Sequence, residues 1–426
     1  MERQYKDSGI EWIGRIPKEW NVDIAKRVFK QRREKGNDVE CQLLAATQKN
    51  GMYPQHLLEG VVKVAADTDL NLFKTVHKND YVISLRSFQG GFEMSDFEGV
   101  CSPAYQVFYA ICQTASQYYK YLFKSDAFIQ EINSLTVGIR EGKNILYDDF
   151  ALLPIPIPPY SEQQQIADYL DKKCAEIDGL IDLQEQMIAQ LTDYKQSVIT
   201  ETVTKGLNPN VELVPSGIDW IGEIPKGWRV GKVSYFFSVR LGKMLQPNSS
   251  SEEDTFENYY CAANVGQNNI KYEPLKQMWF SPIEKKQYEV KVGDLLVVEG
   301  GDVASCDIIK KDMGNVYFQN ALHRVRSRHL DDVRILRYLL MTAKKIGHID
   351  LICNKATISH FTKEKFESIR IPLPPIEEQQ AIASYLDEKC SEIDSLIALK
   401  QQKIEALKEY KKSIIYEAVT GKTVID

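Results

Sequence analysis

Residues 155–206 read IPIPPYSEQQQIADYLDKKCAEIDGLIDLQEQMIAQLTDYKQSVITETVTKG, and residues 371–422 read IPLPPIEEQQAIASYLDEKCSEIDSLIALKQQKIEALKEYKKSIIYEAVTGK. The two stretches are identical at 30 of 52 positions without a gap, 216 residues apart. A shorter echo joins DSGIEWIGRIPKEWNV (7–22) to PSGIDWIGEIPKGWRV (215–230), with 11 identities in 16 at an offset of 208. A repeat of this kind governs the whole fold and has to be read before anything else. The order is short box, variable block, long repeat, and then the same three again.

Each long repeat predicts one long helix. After Pro154, Pro156, Pro158 and Pro159, Ser161 is the expected N-cap, with Glu162 in the first turn. From there to about Val203 there is no proline and one glycine, Gly179. Leu170, Ile177, Leu191 and Val198 recur at heptad spacing, with Cys174, Ile181 and Ile188 as the second line of the seam. The second repeat supplies Leu386, Ile393, Leu407 and Ile414 with Cys390, Ile397 and Ile404. Polar breaks fall at matched places, Gln184 and Lys195 in one helix, Lys400 and Lys411 in the other, where they can set register. Shared pattern, length and breaks favour pairing of the two helices. A helix over 161–203 is about 65 Å long at about 1.5 Å per residue. The linker 204–215 reaches at most about 40 Å, so the second helix is expected to run back antiparallel.

The blocks between, 23–154 and 231–370, are each the size of one domain and show no evident similarity to each other. Both contain short β-like runs, Asp80–Leu85 and Asp294–Val298, followed by Gly90-Gly91 and Gly300-Gly301 turns. Helical stretches follow around Tyr118–Ile132 and Val333–Ile346. The expected fold class is α+β. Two mixed α/β domains stand at opposite ends of a long antiparallel two-helix coiled coil, with a pseudo-two-fold internal repeat. Its divisions are a first domain at 1–160, a first helix at 161–206, a second domain at 207–376 and a second helix at 377–422.

Composition is that of a soluble globular protein, 43% hydrophobic and 26% charged over 426 residues, and no apolar run approaches the length of about 20 residues that crosses a bilayer. The charged first thirty residues argue against secretion, and eight cysteines without a CxxC pair fit reduced thiols, so a cytoplasmic protein without a zinc module is expected.

Catalytic motifs fail on inspection. Pro158-Pro159-Tyr160 resembles the end of an amino-methyltransferase motif, but Ile157 stands where Asn or Asp must hold the target amine. Gly421-Lys422-Thr423 resembles the end of a P-loop, but Tyr416 occupies the place of its first glycine. Asp171-Lys172-Lys173 and Asp387-Glu388-Lys389 have the spacing of a nuclease triplet, yet they lie on the helices and read as solvated faces. No active site and no metal site are expected in this chain.

Net charge is −6, but its distribution matters more. The long repeats carry −5 and −2, the first block −1 and the second +4. Acidic helices repel phosphates, so the domains are the candidates for anion contact. Local basic clusters stand at Lys26, Arg27, Lys30, Arg32 and Arg33, and at His323, Arg324, Arg326 and Arg328.

With its two IP(I/L)PP-x-x-EQQ-x-IA-x-YLD-x-KC-x-EID helix starts and its SGI-x-WIG-x-IP-x-x-W boxes, the chain resembles the specificity subunit of type I restriction-modification enzymes. Asn354–Ile358 also looks like the family's, and Thr136–Arg140 is a looser counterpart. The resemblance implies a DNA-binding, non-catalytic subunit whose two target recognition domains each read one half of a bipartite, asymmetric sequence. The helices would set half-site spacing and dock two methyltransferase subunits, and two restriction subunits would complete the assembly. S-adenosylmethionine, ATP and Mg would belong to those partners, with none in this chain. Base contacts are expected from Arg86, Ser87, Gln89, Tyr105 and Arg140 in the first domain, and from Gln319, Asn320, His323 and Arg324 in the second, because Arg suits guanine and Asn or Gln suits adenine. Two other readings fit the same residues, a diverged DNA adenine methyltransferase and a structural coiled-coil adaptor.

Overall fold

The computed structural model describes residues 3–36, 42–48, 50–58, 70–85, 87–134, 145–353 and 360–425. The chain divides into two compact units, Met1–Glu185 with Gln401–Asp426, and Gln186–Lys400. Each unit therefore holds one variable block, one box, and a part of each long helix.

The first unit is built on a four-stranded antiparallel sheet in the order Phe29–Arg32, Gln106–Ala110, Tyr81–Ile83, Glu93–Met94. The second unit has the same order in Phe237–Leu241, Leu322–Ser327, Leu295–Val298, Cys306–Ile308. Blocks without evident sequence likeness thus share a topology. Their cores explain why the likeness does not show. In the first, aromatic rings fill the space over the sheet: Phe29 meets Tyr81, Phe108 and Tyr119 edge-on at 5.0–5.5 Å, a geometry that suits the ring quadrupole. In the second, aliphatic side chains such as Val239, Leu295, Val297, Val325, Leu336 and Leu339 fill the equivalent layer. Either filling buries one face of the sheet, and neither constrains the letters of the other.

The expected Asp80–Leu85 run forms Tyr81–Ile83, and Asp294–Val298 forms Leu295–Val298. Gly91, at φ +73°, is required: a Cβ there would lie 1.9 Å from the Phe123 carbonyl oxygen. The stretch at 118–132 is two helices, Ser116–Lys124 and Asp126–Ser134, broken at Ser125, and the later one is Val333–Lys345.

The long helices are Tyr160–Lys205 and Ile376–Val419. Ser161 is not the N-cap. The Glu162 and Gln163 amides both donate to the Pro159 carbonyl at 2.9 Å, which puts Ser161 inside the first turn. The prolines do more than stop the preceding chain. Pro154–Ile157 is a strand paired with Asn21–Ile24, and Arg370–Leu373 pairs likewise with Arg229–Lys232. Proline is tolerated in such a two-stranded ribbon because the outer edge needs no N–H donor.

In the first unit Leu170, Cys174 and Ile177 are buried, with Ile404 and Ile414 from the other helix, while Ile181 and Leu407 pack at the margin. In the second, Leu386, Cys390 and Ile393 are buried, and Ile188, Leu191 and Ile397 are half-buried. Two of the four polar breaks, Lys195 and Lys411, form ion pairs between antiparallel helices, while Lys400 meets the Met187 sulfur at 3.3 Å. Lys411 Nζ lies 2.7 Å from both oxygens of Asp178 in the first unit. Lys195 Nζ lies 2.7 Å from both oxygens of Asp394 in the second. These four residues are two copies of one pair, 216 positions apart.

Such half-exposed pairs contribute about 0.2–1 kcal/mol each, but charge reversal tests register directly. Asp394→Lys should lower thermal stability by about 1 kcal/mol through lost attraction and new repulsion. Adding Lys195→Asp should restore most of it, as read by calorimetric unfolding of the single and double variants.

Candidate nucleic-acid interface

The basic clusters noted in the sequence fall on neighbouring strands of equivalent sheets, the first on the edge strand and the short helix before it, the second on the inner strand beside the edge. In the first unit Lys26, Lys30, Gln31, Arg32, Arg33 and Tyr109 line a cleft of about 650 Å³. Lys26, Arg27, Lys30 and Arg33 are exposed. Arg32 is anchored instead: its Nε and Nη2 donate to the two oxygens of Asp80 at 2.7 and 3.0 Å, and its guanidinium lies 4.4 Å from the Tyr109 ring centre. Burial pulls the Arg32 pKa down, but the hydrogen bond and charge of Asp80 outweigh it, and the net shift is upward. Asp80 also accepts from the His77 amide at 2.9 Å, closing the turn that launches Tyr81–Ile83.

The second unit repeats this arrangement with residues from another strand. Asp294 accepts from the Lys291 amide at 2.8 Å and from Arg326 at 2.5 and 2.7 Å. Arg326 belongs to the inner strand, whereas Arg32 belongs to the edge strand. Arg240, exposed on the edge strand, faces Arg324 across the ladder. Arg324 is buried, donates to the Glu289 carbonyl and lies 5.3 Å from the Phe318 ring centre. Burial first, then the like charges of Arg326 and Arg240, lower its pKa to about 10. Arg240 is the exposed guanidinium of this group, and phosphate oxygens match guanidinium geometry.

The residues expected at base edges are placed unevenly. Arg86 and Arg140, and the family-like stretches 136–140 and 354–358, lie outside the described residues. Ser87 is buried and its Oγ accepts from the Ser84 amide at 2.8 Å. Tyr105 is half-buried, and its carbonyl accepts from Lys74. His323 is fully buried, with a ring nitrogen 2.7 Å from the Phe361 carbonyl oxygen, and burial lowers its pKa. Ser87, His323 and Arg324 therefore use their polar atoms inside the fold. Gln89 is exposed, and Gln319 and Asn320 are half-buried.

Sequence reading missed how each domain is seated on its helix. The acidic residue of each nuclease-like triplet, taken as part of a solvated face, points at the domain. Asp171 accepts from the Tyr121 hydroxyl at 2.6 Å. Asp387 accepts from Arg334, Arg337 and Tyr338 at 2.9, 2.7 and 2.7 Å, and Arg337 also reaches Asp307 at 3.0 Å. These groups border a cleft of about 1000 Å³ in the second unit. Among the described residues, no cluster of three or more His, Cys, Asp or Glu could hold a metal ion. No helix among them is long and apolar enough to cross a membrane.

A duplicated frame carrying two unlike domains, each with a cationic sheet edge, defines a recognition scaffold. The family described as type I restriction modification DNA specificity domain matches residues 23–193 and again residues 225–409, and the chain belongs to that family. The specificity subunit of the type I restriction enzyme MjaVIII from Methanocaldococcus jannaschii is 27% identical over 281 residues, 64% of this chain and 63% of that protein. The EcoKI specificity subunit of Escherichia coli strain K12 is 23% identical over 337 residues, 76% and 68% of the two chains. The chain thus spans less than two thirds of the length of the MjaVIII relative. A chain from structural work on complex assembly and conformational transition of the type I R-M system superposes with a TM-score of 0.72 at 17% identity, covering 96% of this chain and 99% of that one. The likeness establishes the fold.

Lys30→Ala, Arg33→Ala and Arg240→Ala should leave stability unchanged. Each should weaken DNA binding for every sequence alike and make the salt dependence shallower by about one, as expected for phosphate contacts, measured by anisotropy against NaCl concentration. Arg32→Ala should cost about 3–5 kcal/mol of stability, because it strands the buried Asp80 carboxylate.

Asp387 gives a pH signature. Burial raises its pKa, but the Tyr338 hydroxyl and the two guanidiniums outweigh that and hold it below the ordinary carboxylate value. Its contribution is full above that ordinary value and is lost as pH falls through the depressed one. Asp387→Asn should lower neutral stability and make the acid limb of the unfolding curve shallower.

Proposed function

We propose that this chain is the sequence-reading subunit of a type I restriction-modification assembly, each domain recognising one half of a bipartite, asymmetric DNA target. The observation that carries this reading is one sheet topology, built twice in one repeated frame, with a cationic edge in the same place and different residues around it. A scaffold of that kind suits two unlike half-sites read in one register. The edge cations position the backbone, and the accessible amides of Gln89, Gln319 and Asn320 are assigned to base edges, where amide side chains pair with adenine N6 and N7.

The long helices act as spacer and docking platform. Each unit presents the same exposed cluster. In the first, Tyr410, Leu180 and Leu183 are exposed. In the second, Tyr194, Leu396 and Leu399 are exposed. Two equivalent faces of apolar and aromatic residues favour two copies of one partner. We assign them to two methyltransferase subunits. Adenine N6 methylation with S-adenosylmethionine would be done by those partners, on a base turned out of the stack, and ATP-driven restriction with Mg by further subunits.

A modification map tests this. The chain is co-expressed with its neighbouring methyltransferase in a host lacking adenine methylation, and N6-methyladenine is located by long-read sequencing. Two unlike sequence blocks at one fixed gap, present only with this chain, are expected. Methylation unchanged when the chain is omitted would favour a structural adaptor, and methylation by the chain alone would make it an enzyme.

A further inference from the structure

The glutamate and first glutamine of each EQQ motif leave the long helix and reach elements distant in sequence. Trp20 Nε1 donates to Glu162 Oε2 at 2.8 Å, and Trp228 Nε1 to Glu378 Oε2 at 3.1 Å. Trp20 is fully buried and Trp228 nearly so. The same indoles press on the end of the other long helix. A Cβ on Gly421 would meet Pro17 at 2.4 Å and the Trp20 ring at 3.0 Å, and one on Gly206 would meet the Trp228 ring at 3.3 Å. Both glycines have φ above +70°, so close approach and backbone conformation alike select glycine.

The glutamines complete the junction. Gln163 and Gln379 are buried, at 2% and 0% exposure. Gln163 Oε1 accepts from the Ala115 amide at 2.9 Å, just before the domain helix Ser116–Lys124, and its Nε2 donates to the Pro158 carbonyl at 2.9 Å. Gln379 Oε1 accepts from the Asp332 amide at 2.8 Å, just before Val333–Lys345. Its Nε2 donates to the Pro374 carbonyl at 2.9 Å and to Asp331 at 2.8 Å. One amide therefore joins the start of the long helix to the start of a helix inside the recognition domain, and it does so identically in two domains whose other residues differ.

We infer that Gln163 and Gln379, together with the Trp20–Glu162 and Trp228–Glu378 bonds, are positioning residues that fix the tilt of each recognition domain on its helix and so set the spacer length tolerated between half-sites. The inference rests on the reading under Proposed function. The lever is favourable. A domain of this size has a radius of gyration of about 14 Å, which puts its far edge about 30 Å from the junction. A tilt of about 7° then moves that edge by the rise of one base pair, about 3.4 Å. A buried, doubly bonded amide resists such a tilt because each broken bond strands a donor or acceptor away from water.

The experiment is the modification map made with the full chain and its methyltransferase partner, comparing wild type with Gln163→Leu, Gln379→Leu and Trp20→Phe. Leucine keeps the volume and removes the amide's hydrogen bonds, two at Gln163 and three at Gln379, while Trp20→Phe keeps a ring and removes only the donor. The expected result is unchanged half-site sequences with methylation spreading to gaps one base pair longer or shorter. The preference for the correct gap should fall about tenfold, the worth of one buried hydrogen bond. Methylation confined to the wild-type gap in the variants, however reduced, would overturn the inference, as would a change in the half-site bases. Should Gln163→Leu or Gln379→Leu fail to accumulate, Trp20→Phe decides by the same criterion. A wild-type map lacking two blocks at a fixed gap would instead defeat the functional reading itself.

Discussion

At the start of each long helix a single carboxylate takes an indole N–H from a box that lies about 140–150 residues earlier in the chain. Around that bond four segments converge: the box, the proline strand that pairs with it, the start of one helix and the glycine end of the other. The helices could pair through their seams without it. The domains could not be seated on them, because strand pairing, Trp–Glu bond and glutamine tie all meet at this place. The repeated letters of the sequence are concentrated in the same elements. The segments between them need only supply a sheet of fixed order, and they differ freely.

That freedom has a physical basis visible in the two sheets. One face is covered by edge-to-face aromatic rings in the first domain and by branched aliphatics in the second. The aspartate that opens the central strand needs a cationic partner, but Arg32 supplies it from the edge strand and Arg326 from the inner strand. The seat on the helix differs too. Asp171 is held by one tyrosine hydroxyl, whereas Asp387 is held by two arginines and a tyrosine, one of those arginines being buried against Asp307. Both domains also pack on their helices through apolar side chains, so the second differs in the added charge network.

How far the molecule could be read from its letters follows from the range of the interactions involved. Helix length, seam residues and matched breaks are periodic, local features, and each of the seam positions from Leu170 to Leu407 is buried or half-buried as the spacing requires. The basic clusters were legible as clusters, and their places on an edge strand in one sheet and an inner strand in the other were not, because these depend on strand order. Ser161 was misplaced by two residues since the Pro159 carbonyl caps the turn instead. His323 and Arg324 look like recognition residues in a polar run, but the inner strand Leu322–Ser327 is covered on both faces, and Phe361 and Phe318 pack against them. Glu162 was placed only in the helix's first turn, and Gln163, Glu378 and Gln379 had no stated role, since their partners in the box and domain lie 47 to 150 residues away.

The two lysine–aspartate bridges have a consequence for inheritance. Because Asp178 and Lys195 recur as Asp394 and Lys411, each half of the gene encodes both members of the pair, one offered to and one taken from the other half. Recombination between such genes within the shared repeat that separates the two variable blocks leaves both bridges, both seams and both tryptophan junctions intact. New pairs of domains can therefore be brought together in a single crossing-over without any compensating change in the helices that carry them.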